Sequence, residues 1–155
     1  MKIYTSYFYQ IRFFKPYQIP LSTAAWDPKW FYNKKQGTNY IDKNGVVNGL
    51  RADLLCLPTE LYEDECGKEC GFIPPNCPFM VKYRKYLDSL DFNDVVKRCE
   101  ALATKVKSKL NFDEEPEIIL MVHEPLSRPC AERPVLQAWF SDNGYHITEW
   151  EKDKK

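Results

Sequence analysis

The stretch Glu124-Pro125-Leu126-Ser127-Arg128-Pro129-Cys130-Ala131-Glu132-Arg133 gathers one thiol, two guanidinium groups and two carboxyl groups within ten residues. A thiolate, not a thiol, is the nucleophile, and it is favoured beside cations and at a helix N-terminus, where unpaired N–H groups stabilise negative charge. Cys130 stands just before a helix that would begin near Glu132 to Pro134, with Arg128 and Arg133 on either side, which makes it the candidate nucleophile. Glu124 is the candidate general acid or base, or the group that holds a ligand hydroxyl. Arg133 suits a forked contact with phosphate or carboxylate, and Arg128 supplies a second cation. His123 adjoins Glu124 and can reach the same site, whereas His146 reads as a strand residue. The plainer alternative makes Cys130 a packing residue, Glu124 an exposed loop residue, and Glu132 with Arg133 a surface ion pair of little energetic weight.

The other cysteines divide in two. Cys66, Cys70 and Cys77 crowd a loop punctuated by Gly67, Gly71, Pro74 and Pro75, which has little core of its own. Thiolate ligation of a structural zinc would order it, with Cys56 as a possible fourth ligand; free or packed thiols are the alternative, because no Cys-x2-Cys knuckle is present. Cys99 falls on the helical stripe Val95, Val96, Cys99, Leu102, Ala103, Val106, Leu110 and belongs to a core. Gly-x-Ser-x-Gly, phosphate-loop, Gly-x-Gly-x-x-Gly and His-Glu-x-x-His patterns are all missing, which removes the common hydrolase, triphosphatase, dinucleotide and metalloprotease signatures. No apolar run nears membrane-spanning length and the start lacks a secretory pattern, so a cytoplasmic protein with reduced cysteines and no membrane partner is expected.

For the 124–133 segment to act, a sheet must deliver it. Glu117 to His123 is a continuous apolar run of strand length, as for a strand covered on both faces. The amphipathic segment from Pro134 to Phe140, stopped by Asn143-Gly144, follows as a helix, and Tyr145 to Trp150 as a last strand. Lys2 to Tyr9 and Gln18 to Thr23 read as strands, and Trp26 to Phe31 as one helical turn. Lys34 to Gly49 reads as a long surface loop. Pro78 opens a helix running to Leu90, and Asn93 or Asp94 caps the next, through Leu110. This order predicts an α/β fold: one three-layer, Rossmann-like sheet, mainly parallel, flanked by helices, over residues 1–150, with a Cys-containing loop insertion and a solvated tail at 151–155. In such sheets ligands collect beyond the carboxyl ends of the strands, which is where the 124–133 segment would lie.

The 155 residues suffice for one core. Twenty-two basic and 22 acidic side chains cancel overall, so bulk charge does not indicate a DNA-coating protein. The distribution is uneven: residues 1–51 hold 8 Lys/Arg against 2 Asp/Glu, and 12 of the 23 aromatic residues. Cations mixed with π faces suit a phosphate-bearing or nucleobase ligand, although in a small domain most rings serve the core.

Three stretches resemble the domain-of-unknown-function family numbered 488, a group of small bacterial and phage proteins. They are Ile3-Tyr4-Thr5-Ser6-Tyr7-Phe8; Ile19-Pro20-Leu21-Ser22 with Pro28-Lys29-Trp30-Phe31; and the apolar strand ending in His123-Glu124 with Cys130-Ala131-Glu132-Arg133 and Trp139. In that family the third stretch carries a Cys, an aromatic residue and Glu, then Cys-His-Arg. Here Val122 replaces the first Cys, His123 the aromatic residue, and Cys-Ala-Glu-Arg the Cys-His-Arg. The resemblance implies a Rossmann-like fold with a polar crevice and no established reaction. Joined to the residues above, it gives two functional expectations. One is a small enzyme acting on a nucleotide, nucleobase or nucleic-acid-derived ligand, with Cys130 or Glu124 reacting, Arg133 clamping an anion, and Ser6, Tyr7, Ser22 and Trp30 shaping the pocket. The other is a non-catalytic nucleotide-binding or host-interaction protein using the same crevice. A third, plainer option is a metal-stapled loop that serves an interface.

Overall fold

The computed structural model describes residues 1–32, 39–56, 58, 78–124 and 132–152. Its centre is a four-stranded, all-parallel sheet of β1 (Lys2–Tyr7), β2 (Gln18–Ser22), β5 (Glu117–Val122) and β6 (Thr148–Glu149), in the order β2-β5-β1-β6. The α/β, Rossmann-like reading of the sequence therefore holds. β5 lies between β1 and β2, with Tyr7 opposite Val122 and Ser22 opposite Met121, and it is buried from Ile118 to Val122.

Side chains alternate across the sheet and build two cores. Ile3, Ile19, Leu21, Ile118 and Leu120 pack with three helices, α1 (Pro78–Asp88), α2 (Phe92–Leu110) and α3 (Arg133–Asp142). Ile119 and Met121 face the other way, onto Phe8, Ile11, Phe14, Phe31 and Val46. That second layer contains no α-helix among the described residues. Strand β1 stops at Tyr7 instead of running to Tyr9, and Phe8–Phe13 winds as a 3-10 helix. The apolar spacing explains it: Phe8, Ile11 and Phe14 recur every third residue, the period of a helix with three residues per turn, so all three are buried along one edge.

The expected surface loop from Lys34 to Gly49 is corrected over its described part. Strands β3 (Tyr40–Ile41) and β4 (Val47–Asn48) pair as an antiparallel hairpin, and Val46, Val47 and Asn48 are buried. The Asp42 carboxylate ties the turn by accepting from the N–H groups of Asn44 and Val46, a local geometry that Asp favours. The α2 cap is neither Asn93 nor Asp94 but Asp91, two or three residues earlier, whose side chain accepts from the Asp94 N–H. The last strand shrinks to Thr148–Glu149, while α3 ends as read, with Gly144 at a φ of 81° that a side chain would strain. No helix among the described residues is long and apolar enough to cross a membrane.

Candidate functional site

Strands β1 and β5 are neighbours, yet their connections leave in opposite directions. The chain after β1 crosses the face holding Phe8 and Ile11 to reach β2, and the chain after β5 crosses the helical face through α3 to reach β6. That divergence is a topological switch point, the place where open α/β sheets bind ligands beyond the carboxyl ends of their strands. Ser6, Tyr7, His123 and Glu124 lie at this edge, with Glu132 and Arg133 entering from the start of α3.

Arg133 is almost wholly buried. Its Nε stands 3.1 Å from Glu149 Oε1, off the line of a hydrogen bond, so the contact is chiefly coulombic. One Nη donates to the Glu124 backbone carbonyl, and the guanidinium lies 5.8 Å from the centre of the Tyr7 ring. Glu149 also accepts from the Thr5 hydroxyl at 2.8 Å, and Thr5 in turn accepts from the Gln137 amide at 2.7 Å. Burial pushes the Glu149 carboxyl up, against the lowering effects of Thr5 and Arg133. The ion pair read as Glu132 with Arg133 at the surface is thus replaced by a buried pair with Glu149, which pairing of β6 beside β1 brings next to Thr5.

Glu132 instead meets Glu124, and the two carboxyl groups share a hydrogen bond. Loss of water, then the Glu124 charge, push Glu132 up to about 7. The second oxygen of Glu124 and the hydroxyl of Ser6 are buried with no hydrogen-bond partner among the described residues. Such atoms commonly await a water or a ligand group.

The other expected site residues separate from this cluster. Ser22 is fully buried, and its hydroxyl donates to Asp27 and accepts from the Ala24 N–H. Asp27 is held by Arg51 Nη1 at 2.6 Å, and Arg51 Nη2 reaches the Ala24 carbonyl at 2.8 Å and Cys56 Sγ at 3.1 Å. His123 lies between the two clusters, its Nε2 against the Trp26 carbonyl and its ring 5.0 Å from Phe8. Trp30 is half exposed and edges against Phe8, on the face without α-helices. Cys130 and Arg128, and the expected zinc ligands Cys66, Cys70 and Cys77, lie outside the described residues. Cys56 is described, and no group of three or more His, Cys, Asp or Glu side chains suited to a metal occurs among the described residues.

Thr5, Gln137, Glu149, Asp27 and Arg51 were not singled out by sequence reasoning. Glu149 carried one signal, a charged residue inside a segment read as strand. Asp27 and Arg51 are 24 residues apart and join only through the fold.

Both described thiols are held protonated. Burial raises Cys56 and Cys99 to about 11, and for Cys56 it outweighs the lowering effect of Arg51. At neutral pH each is expected to carry at least about 100-fold less thiolate than a free cysteine. Timed alkylation with peptide mapping should leave Cys56 and Cys99 unlabelled while Cys130, if it is an activated nucleophile, reacts first. Rapid labelling of Cys56 would contradict this arrangement. Comparison of the chain with family models, with curated proteins and with solved structures returned no match.

Proposed function

We propose that the crevice beyond β1 and β5 binds a ligand containing a nucleobase or nucleoside, and that the Glu124–Glu132 pair exchanges a proton with it, in a protein of the family-488 type. The observation that supports this reading is the contact of the Glu124 and Glu132 carboxyl groups at the switch point, where the other Glu124 oxygen is buried with no hydrogen-bond partner among the described residues. A neutral carboxyl next to a carboxylate offers one donor and several acceptors. Heterocycle edges carrying amino and ring N–H groups, and ribose hydroxyls, answer that pattern. A carboxyl group titrating near 7 is also suited to give or take a proton at physiological pH. Arg133 is engaged with Glu149 and the Glu124 carbonyl, so its part is to position Glu124 and not to clamp phosphate alone.

A second reading, binding without turnover, is favoured by Val122. The resembled family carries a Cys at that place, and here an inert, fully buried side chain fills it. Thermal unfolding against nucleobases, nucleosides and nucleotides, followed by mass spectrometry of the incubated ligand, tests both. A cognate ligand at 100 times its Kd stabilises by about 3 kcal/mol, a rise in Tm of roughly 6–12 °C for a chain of this size. The shift should vanish in the double variant Glu124→Gln/Glu132→Gln. A changed ligand mass supports catalysis, an unchanged one supports binding alone, and a panel without any shift overturns both.

A further inference from the structure

We infer that the open cleft on the face without α-helices is a second binding site, for single-stranded nucleic acid, in which a base stacks on Trp30 and its phosphates meet Arg12 and Lys43. The cleft has a volume of about 770 Å³ and is bounded by the 3-10 helix after β1, the turn at Trp30 and the β3–β4 hairpin. Cavities of that size hold nucleotide-sized ligands.

Three observations converge there. The first is exposed aromatic surface. Tyr9 and Trp30 keep about half of their surface in water, 52% and 50%, although the core beneath them is rich in rings. Edge contacts with Phe8 and Phe31 hold the Trp30 indole, and the Tyr40 hydroxyl donates to the Trp30 carbonyl, so the platform is set before any ligand arrives.

The second is charge. Arg12 lies 3.7 Å over the Tyr9 ring and donates from Nε to the Tyr9 carbonyl, which fixes a guanidinium plane at the cleft wall. Arg12 and Lys43 are exposed and form no ion pair among the described residues. The one acidic lining residue, Asp42, is occupied by the N–H groups of Asn44 and Val46 and by the Asn48 amide. The wall is thus cationic although the whole chain is neutral.

The third is an unmet hydrogen bond. Asn48 lines the cleft and is 1% exposed. Its NH2 group donates to Asp42 and to the Val46 carbonyl, while its Oδ1 has no partner among the described residues. An amino or ring N–H of a base entering the cleft would supply one. Stacking planes and cations, with an unpartnered acceptor buried in the wall, match the base-and-phosphate unit of a single strand, for which aromatic platforms and basic grooves are the recurring means of recognition.

Fluorescence anisotropy with short labelled homopolymeric oligonucleotides, competed by unlabelled oligonucleotides and by mononucleotides, provides the test. Tyr9→Ala and Trp30→Ala should each weaken binding about 5- to 100-fold, with unfolding temperature followed as a control. Two phosphate contacts predict a slope of about −1.4 for the logarithm of affinity against that of salt, and Arg12→Ala should reduce its magnitude by about 0.7. Competition improving with strand length supports a polynucleotide site; equal competition by a mononucleotide supports the same chemistry serving free nucleotides. The Glu124→Gln/Glu132→Gln variant should bind oligonucleotides as the wild type does, which keeps this site independent of the crevice. No oligonucleotide or mononucleotide binding, or affinity unmoved by Tyr9→Ala and Arg12→Ala, overturns the inference.

Discussion

Arg133→Met is expected to lower the stability of the fold by about 3–5 kcal/mol, the cost of leaving a buried carboxylate without its partner. The Arg133 and Glu149 side chains are only 6% and 13% exposed, so neither can turn to water without leaving the core. Removing the guanidinium would leave Glu149 with only the Thr5 hydroxyl, and its carboxyl, already raised by burial, would rise further. The same substitution releases the Glu124 backbone carbonyl. Urea unfolding of the wild type, Arg133→Met, Glu149→Gln and the double variant separates these effects. The double variant should be more stable than Arg133→Met, because an apolar and neutral pair replaces an orphaned charge. A loss below about 1 kcal/mol in Arg133→Met would show that the pair is solvated and that Arg133 does not hold the crevice together.

The sequence disclosed those parts of the fold whose local pattern and final environment agree. The run Ile118 to Val122 is apolar at every position because β5 is covered on both faces, and the Val95, Cys99, Ala103 and Val106 stripe lies against the core as its spacing requires. The 3-10 helix at Phe8–Phe13 was hidden because its residues are aromatic and apolar, types that also favour strands; the three-residue spacing of Phe8, Ile11 and Phe14 was the sign of it. The β3–β4 hairpin was hidden because its turn depends on a single Asp42 carboxylate within polar, Gly-containing sequence.

The site divides along the same line. Ser6, Tyr7, His123, Glu124 and Arg133 could be placed at one sheet edge because each adjoins a strand end or the start of a helix that periodicity had located. Their partners could not be paired in advance. Glu149 meets Arg133 only because β6 lies beside β1, and Arg51 meets Asp27 only because the chain passes the end of β2 twice. Long-range pairing of charges depends on strand order, which local pattern leaves open. Ser22 looked like a pocket residue for the same reason that Ser6 does; only the Asp27–Arg51 pair beside it separates their roles.

Stability should fall as pH rises from about 4.5 to about 7, and Glu132→Gln should remove much of that slope. Loss of water, then the charge of Glu124 and the hydrogen bond between them, raise Glu132 from its ordinary 4.5 to about 7, against the lowering effects of its own backbone N–H and of Arg133. Within this window the folded chain holds a proton that the unfolded chain has released, so the unfolding free energy decreases with pH. The contribution is complete below the unfolded value and lost once pH passes the folded one. At about 1.4 kcal/mol for each pH unit separating the folded value from the unfolded one, Glu132 supplies at most about 3 kcal/mol of the change. Glu149, also raised by burial, acts in the same direction, so a smaller slope should persist in Glu132→Gln. The glutamine keeps a donor for Glu124 and adds no charge, which confines the comparison to the proton. Urea unfolding of both proteins across this range is the measurement, and equal slopes would exclude a proton held between Glu124 and Glu132. The slope also bears on the ligand: a base recognised by one neutral carboxyl and one carboxylate loses its donor as Glu132 ionises, so its binding should weaken as pH rises past about 7.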